Sequence, residues 1–289
     1  FEEETARAAK QAGMRCLLGE VLFDFPSPSY PTPAAGLALT RQLLERYADD
    51  PLIRIAVEPH ALYTCSEPLL VQARDLAREF NAPLALHLLE NQAEKAQIQA
   101  KVGQGAVPYL QRLGCLDERL IAFHCVAFED EDIQRFADHG CKVVYNPESN
   151  MKLASGFAPV ARMRAAGIPV GLGTDGCASN NDLDLFQEMD TAAKLEKVRH
   201  LDPTLLPAPA VVAMATREGA RVLGLEGVTG CLRPGLKADL ILIDLKRPHL
   251  TPMYHPYSHL VYAVTGADVK TVLINGRLVM RDRQLLTLN

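Results

Sequence analysis

Six short apolar runs, separated by stretches with helical spacing, do most to limit what this chain can fold into. They are Met14 to Phe23, Leu52 to Val57, Pro83 to Leu88, Leu120 to Phe123, Cys141 to Tyr145 and Ile168 to Gly173. Runs of this length, bounded by turn residues, read as buried strands. Between them Leu69, Ala73, Leu76, Ala77 and Phe80 recur at helical spacing behind a Ser66 cap, and Val160, Met163 and Ala166 do so after Gly156. Strand and helix in alternation imply a parallel sheet with helices outside it, an α/β fold. No Gly-x-Gly-x-x-Gly follows the first strand and no Walker-type loop occurs, so a (β/α)8 barrel is favoured over a doubly wound nucleotide-binding sheet. Six strands are two short of closure. The shortage falls at the start, where Phe1 leads straight into a helical run, Glu2 to Ala12, with no strand before it. The expectation is a barrel incomplete at its N-terminal side and a natural protein longer than this chain. After a helical run from Pro207 to Leu223 the texture turns to β, through Gly230 to Asp244 and Val269 to Met280, with an Asn275-Gly276 hairpin turn. The expected division is residues 1–227 for the barrel and 228–289 for a small β portion.

The 289 residues, 48% hydrophobic and 22% charged, can bury a sizeable core. A formal charge of -5 without runs of like charge gives no footprint for nucleic acid or an anionic membrane, which leaves a small neutral or weakly charged molecule as the expected partner. No apolar stretch approaches the length of a bilayer span and no signal-peptide pattern opens the chain. The seven cysteines are scattered and make no Cys-x-x-Cys pair, which argues against a disulfide framework or a cysteine zinc ribbon and for a reducing cytoplasm.

In a parallel barrel the reactive groups follow the carboxyl ends of strands. There the sequence places His60, His87 with Glu90 three residues on, His124, Asn146 and Asp175. Asp175 lies in Gly171 to Asn181, where glycines permit close backbone approach and Ser179, Asn180 and Asn181 can cap a helix beginning near Asp182. An aspartate in such a turn is as often a turn anchor, and a lone strand-end histidine is more often structural. Three histidines at successive strand ends argue instead for one shared site. Imidazole and carboxylate together suit zinc, with iron the second candidate, held with a position open for water. Bound metal would bring that water's pKa to about 7, and Glu90 and Asp175 supply carboxylates to move protons.

These residues resemble the metal-dependent amidohydrolases, in particular the branch containing 5-methylthioadenosine/S-adenosylhomocysteine deaminases and triazine chlorohydrolases. The matching text is Glu58 to Ser66, Leu86 to Glu90, Ala122 to Cys125, Asn146 to Gly156 and Gly173 to Asn181, with Pro234 to Leu240 leading into the superfamily's β-sandwich. Each motif alone is weak; five in order are specific. The resemblance implies His87 and Asp175 as metal ligands and His124 as the group polarising the attacking water or the tetrahedral intermediate. It implies Glu90 as the acid that protonates the purine ring nitrogen, Asp175 as the base for the water, and His60, Glu90 and Ser179 as substrate contacts. The implied reaction is hydrolytic deamination of an adenine nucleoside, with a possible homo-oligomer as the assembly. Three departures stand out. The family's His-x-His pair is absent, so the expectation is that this polypeptide alone neither closes its barrel nor holds metal tightly. Tyr145 stands where members usually carry His, and the nearest candidate for an arginine clamp on a homocysteine carboxylate is Arg41. The alternatives are a chloro- or aminohydrolase of another nitrogen heterocycle, triazine or guanine, and an inactive fragment or scaffold.

Overall fold

The computed structural model describes residues 1–288, which divide into two compact units, Phe1–Val143 with Ala166–Ile168, and Val144–Ala165 with Pro169 onward. In the first unit the order is α1 (Glu2–Ala12), β1 (Cys16–Leu18), β2 (Val21–Leu22), α2 (Pro33–Arg46), β3 (Ile53–Ile55), β4 (Glu58–Pro59), α3 (Glu67–Glu79), β5 (Leu84–Leu88), α4 (Gln92–Val102), α5 (Ala106–Arg112), β6 (Leu120–His124), α6 (Asp130–Asp138) and the start of β7 (Lys142–Tyr145). The strands run parallel: Cys16 pairs with Ile53, Val21 with Glu58, and Leu84 to Leu88 with Leu120 to His124. Parallel bridges Val57–Leu84 and Ala61–His87 carry the pairing from the second strand segment to the third.

Local chemistry accounts for most boundaries. The helix expected at Glu2 to Ala12 is there, with three glutamates in its first turn and Gly13 closing it in the left-handed conformation at φ 74°. Pro33 occupies the first turn of α2 behind a Thr32 hydroxyl that accepts from Ala35 N. Ser66 precedes α3 as expected but accepts no capping bond; its hydroxyl points to Asp24 and donates to Oδ1 at 2.9 Å. The first apolar run breaks into two short strands, and the second gives β3 with β4 just beyond its end. At the break a side chain on Gly19 would start 2.6 Å from Ala56 O. The core of this unit is fully buried Leu22, Ile53, Leu88, Leu110 and Phe136. Each such side chain contributes about 1.5–3 kcal/mol on leaving water.

The second unit takes the end of β7, then α7 (Pro147–Lys152), α8 (Val160–Ala165), β8 (Val170–Leu172), α9 (Leu185–His200), α10 (Ala208–Ala215), α11 (Arg217–Val222), β9 (Leu240–Ile243), α12 (Pro256–Tyr262), β10 (Val269–Ile274), β11 (Arg277–Arg281) and β12 (Gln284–Leu285). Gly173 N donates to Tyr145 O at 2.9 Å, tying the end of β8 to that of β7. The last four strands form an antiparallel sheet in the order β12-β11-β10-β9, turned at Asn275-Gly276 with both residues at positive φ, as the sequence leads one to expect. The helix expected near Asp182 starts at Leu185 with Asp184 as its cap. The expected Ser179, Asn180 and Asn181 do not cap it: Ser179 turns to Asp175, Asn180 Oδ1 accepts from Asp182 N at 3.2 Å, and Asn181 Oδ1 accepts from Lys152 Nζ. Among the described residues no helix is long and apolar enough to cross a membrane, and all seven cysteines are free thiols.

Candidate active site

In the first unit the ends of adjacent parallel strands bring three imidazoles into a row. The His60 and His87 rings lie 4.9 Å apart, and His87 stacks on His124 at 5.6 Å and 25°. The row is fixed by the backbone. His87 N and Nδ1 both contact the His60 carbonyl at 2.9 Å. A carbonyl only accepts, so the His87 proton sits on Nδ1 and the lone pair on Nε2. Metal-binding histidines are oriented in this way. His60 Nδ1 meets Thr64 Oγ1 at 2.9 Å, and burial with His87 beside it lowers His60 to about 4, so its ring is neutral at physiological pH. His124 is 2% exposed and adopts φ 69°, a sparsely populated conformation that aspartate, asparagine and histidine tolerate better than most.

Aromatic rings flank the row. Phe23 lies 4.9 Å from His60 and stacks on Phe25 at 4.8 Å; Tyr63 meets His60 edge-on and Phe123 tilts against His87 at 5.3 Å. Phe25 opens the proline-dense loop after β2 and is 48% exposed. That loop is pinned by Tyr30, whose hydroxyl donates to Val21 O at 2.7 Å. Glu90, just past β5, is held through its backbone: Leu89 N and Glu90 N donate to the Glu94 carboxylate at 3.0 and 2.7 Å. Glu94 is 5% exposed, and burial pushes it up to about 6 against the pull of those amides.

In the second unit Asp175 sits at φ 60° beyond β8. Ser149 and Ser179 donate to its Oδ2 at 2.6 and 2.7 Å, and Gly176 N donates to its Oδ1 at 2.8 Å. Gly173 is required here, since a Cβ would meet Val144 Cγ1 at 2.7 Å and Asn146 Nδ2 at 2.9 Å. Ser179, expected to touch substrate, is bonded to Asp175 and to Gly176 O. Asn146 is 4% exposed at the end of β7.

Sequence reasoning missed Glu94, Ser149, Glu188 and the flanking rings of Phe23, Tyr63 and Phe123. A signal existed for Glu188: it shares the buried face of α9 with Met189, Ala192 and Ala193, where a carboxylate needs a partner. These rings come from β6 and from loops far apart in sequence and carry no spacing signal.

The model of the amidohydrolase family matches residues 2–279. The chain belongs to that family. A Syntrophus aciditrophicus relative, named 5-methylthioadenosine/S-adenosylhomocysteine deaminase 1, is 74% identical over all 289 residues, which make up 65% of its length. A relative from Methanothermobacter thermautotrophicus, named 5'-deoxyadenosine deaminase, is 44% identical over 99% of this chain and 66% of its own. The crystal structure of a Xanthomonas campestris adenosine deaminase with bound zinc superposes with a TM-score of 0.98 at 39% identity, covering 100% of this chain and 66% of that one. The chain thus spans just under two thirds of the length of these relatives, and its α/β architecture is that of the amidohydrolases.

Proposed function

We propose that the protein carrying this chain is a zinc-dependent hydrolase that removes the amino group of an adenine nucleoside as ammonia and leaves the inosine-type product. The observation that carries this reading is the imidazole row, in which His87 is held with a proton on Nδ1 among flanking aromatic rings. The donor chemistry fits zinc. His87, His124 and Asp175 are residues whose atoms could hold a metal ion, and a nitrogen and carboxylate set is the kind zinc takes. In this reading His87 and Asp175 hold the ion, which when bound supplies a water with its pKa lowered to about 7.

This chain's own groups do the rest. Asp175 accepts the water's proton, with its orientation set by the two serines and Gly176 N. His124 donates a hydrogen bond to the oxygen that adds to the adenine carbon bearing the amino group. Glu90 gives its proton to the adjacent ring nitrogen, Asp175 passes the water's proton to the leaving amine, and Glu90 regains a proton from the hydroxyl as the carbonyl forms, so that water and nucleoside give product and ammonia in balance. His60 and Ser179, with the Phe23, Phe25 and Tyr63 rings, line the nucleoside. Arg41 offers no clamp for a homocysteine carboxylate: it pairs with Glu79 at 2.6 Å and lies over Phe80. That supports 5'-methylthioadenosine, 5'-deoxyadenosine or adenosine over S-adenosylhomocysteine.

The test is a substrate panel on the zinc-loaded protein at the length its gene encodes, with adenine nucleosides beside guanine and a chlorotriazine. Ammonia release matched by loss of adenine absorbance is expected from the nucleosides. Chloride or ammonia released only from the triazine or guanine would overturn the reading.

A further inference from the structure

Asp175 is not placed by its own backbone alone, because the two serines that hold it trace back to one buried carboxylate. Glu188, on the first turn of α9, is 0% exposed. Its Oε2 accepts from Glu148 N at 3.2 Å, and its Oε1 accepts from Asn180 Nδ2 at 2.5 Å. Each partner is the immediate neighbour of a serine on Asp175: Glu148 precedes Ser149 at the start of α7, and Asn180 follows Ser179 in the turn after β8. Both serines end on the same atom, Asp175 Oδ2, at 2.6 and 2.7 Å. Two further ties close the frame. Thr191, one turn along α9, donates to Glu148 Oε1 at 2.9 Å, and Lys152 at the end of α7 donates to Ala178 O at 2.9 Å.

We propose that Glu188 is the positioning residue for Asp175, clamping Ser149 from one side and Ser179 from the other so that their hydroxyls converge on Oδ2. A carboxylate needed only to finish a helix would not be fully buried, where its desolvation costs free energy unless its oxygens are used. Both oxygens of Glu188 are used, and both lead to Asp175. Burial pushes Glu188 up to about 8, and glutamine, with the same shape but one acceptor oxygen, keeps one of its two ties. The role rests on the reading of Asp175 as ligand and base, but the geometry of the clamp is testable without it.

The experiment compares Glu188→Leu, Glu188→Gln and Ser149→Ala, alone and combined, in the protein at the length its gene encodes. One readout is zinc affinity by competition with a chelator; the other is a crystal structure of each variant. Glu188→Leu is expected to weaken zinc binding about 10- to 100-fold, as loss of a supporting hydrogen bond does at other metal sites. The crystal structure should show the Ser149 and Ser179 hydroxyls moved out of hydrogen-bond reach of Asp175. Glu188→Gln, which keeps the shape and one acceptor, should fall between wild type and Glu188→Leu, a partial rescue that a general packing defect would not allow. Adding Ser149→Ala to Glu188→Leu should cost less than the sum of the two. Wild-type affinity in Glu188→Leu, no rescue by glutamine, or full additivity would each overturn the proposal. A wild-type protein that binds no zinc would sink the functional reading instead. The clamp would then stand or fall on the crystal structures, and an unmoved Asp175 in Glu188→Leu would end it.

Discussion

Glu94→Ala should loosen the segment that carries Glu90 without unfolding the protein. The Glu94 carboxylate accepts from Leu89 N and Glu90 N at 3.0 and 2.7 Å, and both amides lose their acceptor in the variant. Hydrogen bonds to a charged group contribute about 1.5–3 kcal/mol each, so the pair amounts to about 3–6 kcal/mol. Against this stands the cost of keeping a buried carboxylate ionised. Its rise from the usual 4.5 to about 6 corresponds to about 2 kcal/mol at neutral pH, a cost the alanine variant escapes. Because that rise is already net of the pull of the two amides, the net loss is at most about 1–4 kcal/mol, concentrated on the Leu89–Glu90 turn. Hydrogen exchange read at single residues is the assay, because it reports local opening even where the melting temperature barely moves. The amides of Leu89 and Glu90 should exchange about 5- to 1000-fold faster at pH 7, while amides in β6 stay at their wild-type rates. Glu94→Gln keeps one acceptor and should fall between. Unchanged exchange at both amides would show that the turn holds itself and would refute the reasoning.

Other perturbations test the same structure at different points. Gly173→Ala places a methyl 2.7 Å from Val144 Cγ1 and should destabilise by about 1–3 kcal/mol, seen as a melting temperature several degrees lower. Phe136→Ala removes a fully buried ring that packs edge-on against Phe128 at 4.8 Å and should cost about 3–5 kcal/mol in urea unfolding. Under the proposed function, Phe25→Ala should raise KM about tenfold with kcat nearly kept, since the exposed ring would bind the flat base equally in ground and transition states. Dialysis against a strong zinc chelator should abolish ammonia release, and added zinc should restore it; activity surviving complete metal removal would contradict the reading.

The strands and helices were legible because their apolar spacing survives packing: α1 and β5 stand within one residue of expectation, and the Asn275-Gly276 turn falls in place. What was not legible depends on partners distant in sequence. Ser66 looks like a cap but its hydroxyl points to Asp24, and Ser179 and Asn180 look like caps but their side chains donate to Asp175 and Glu188. The break after Leu18 falls at Gly19, where any side chain would start 2.6 Å from Ala56 O of the neighbouring segment. No local periodicity encodes that. The histidines could be picked out by their place at strand ends, but the fixed tautomer of His87 follows only from the register that brings the His60 carbonyl to its Nδ1.

Glu94 and Glu188 share a design that gives a signed pH dependence. Each is a buried glutamate near the start of a helix, accepting a backbone amide from the segment just past a strand, and each is raised by burial, to about 6 and about 8. A carboxyl raised in the folded state binds more protons there than in the unfolded chain between the two pKa values, so stability falls as pH rises through that window. For Glu94 the window is about 4.5 to 6, and for Glu188 about 4.5 to 8. His60, lowered to about 4, acts the opposite way between about 4 and 6.5, so the raw stability curve mixes the two signs. Differences between wild type and a glutamine variant isolate each carboxyl. Relative to Glu94→Gln, the wild type should lose about 2 kcal/mol between pH 4.5 and 6 and nothing further above it. Relative to Glu188→Gln it should go on losing stability up to about pH 8, by a larger total. Denaturant unfolding of all three proteins across that range is the measurement. A wild type that gained stability over Glu188→Gln as pH rose from 5 to 8 would mean that the buried carboxyl is ionised and well paired, the reverse of the desolvated group argued for here.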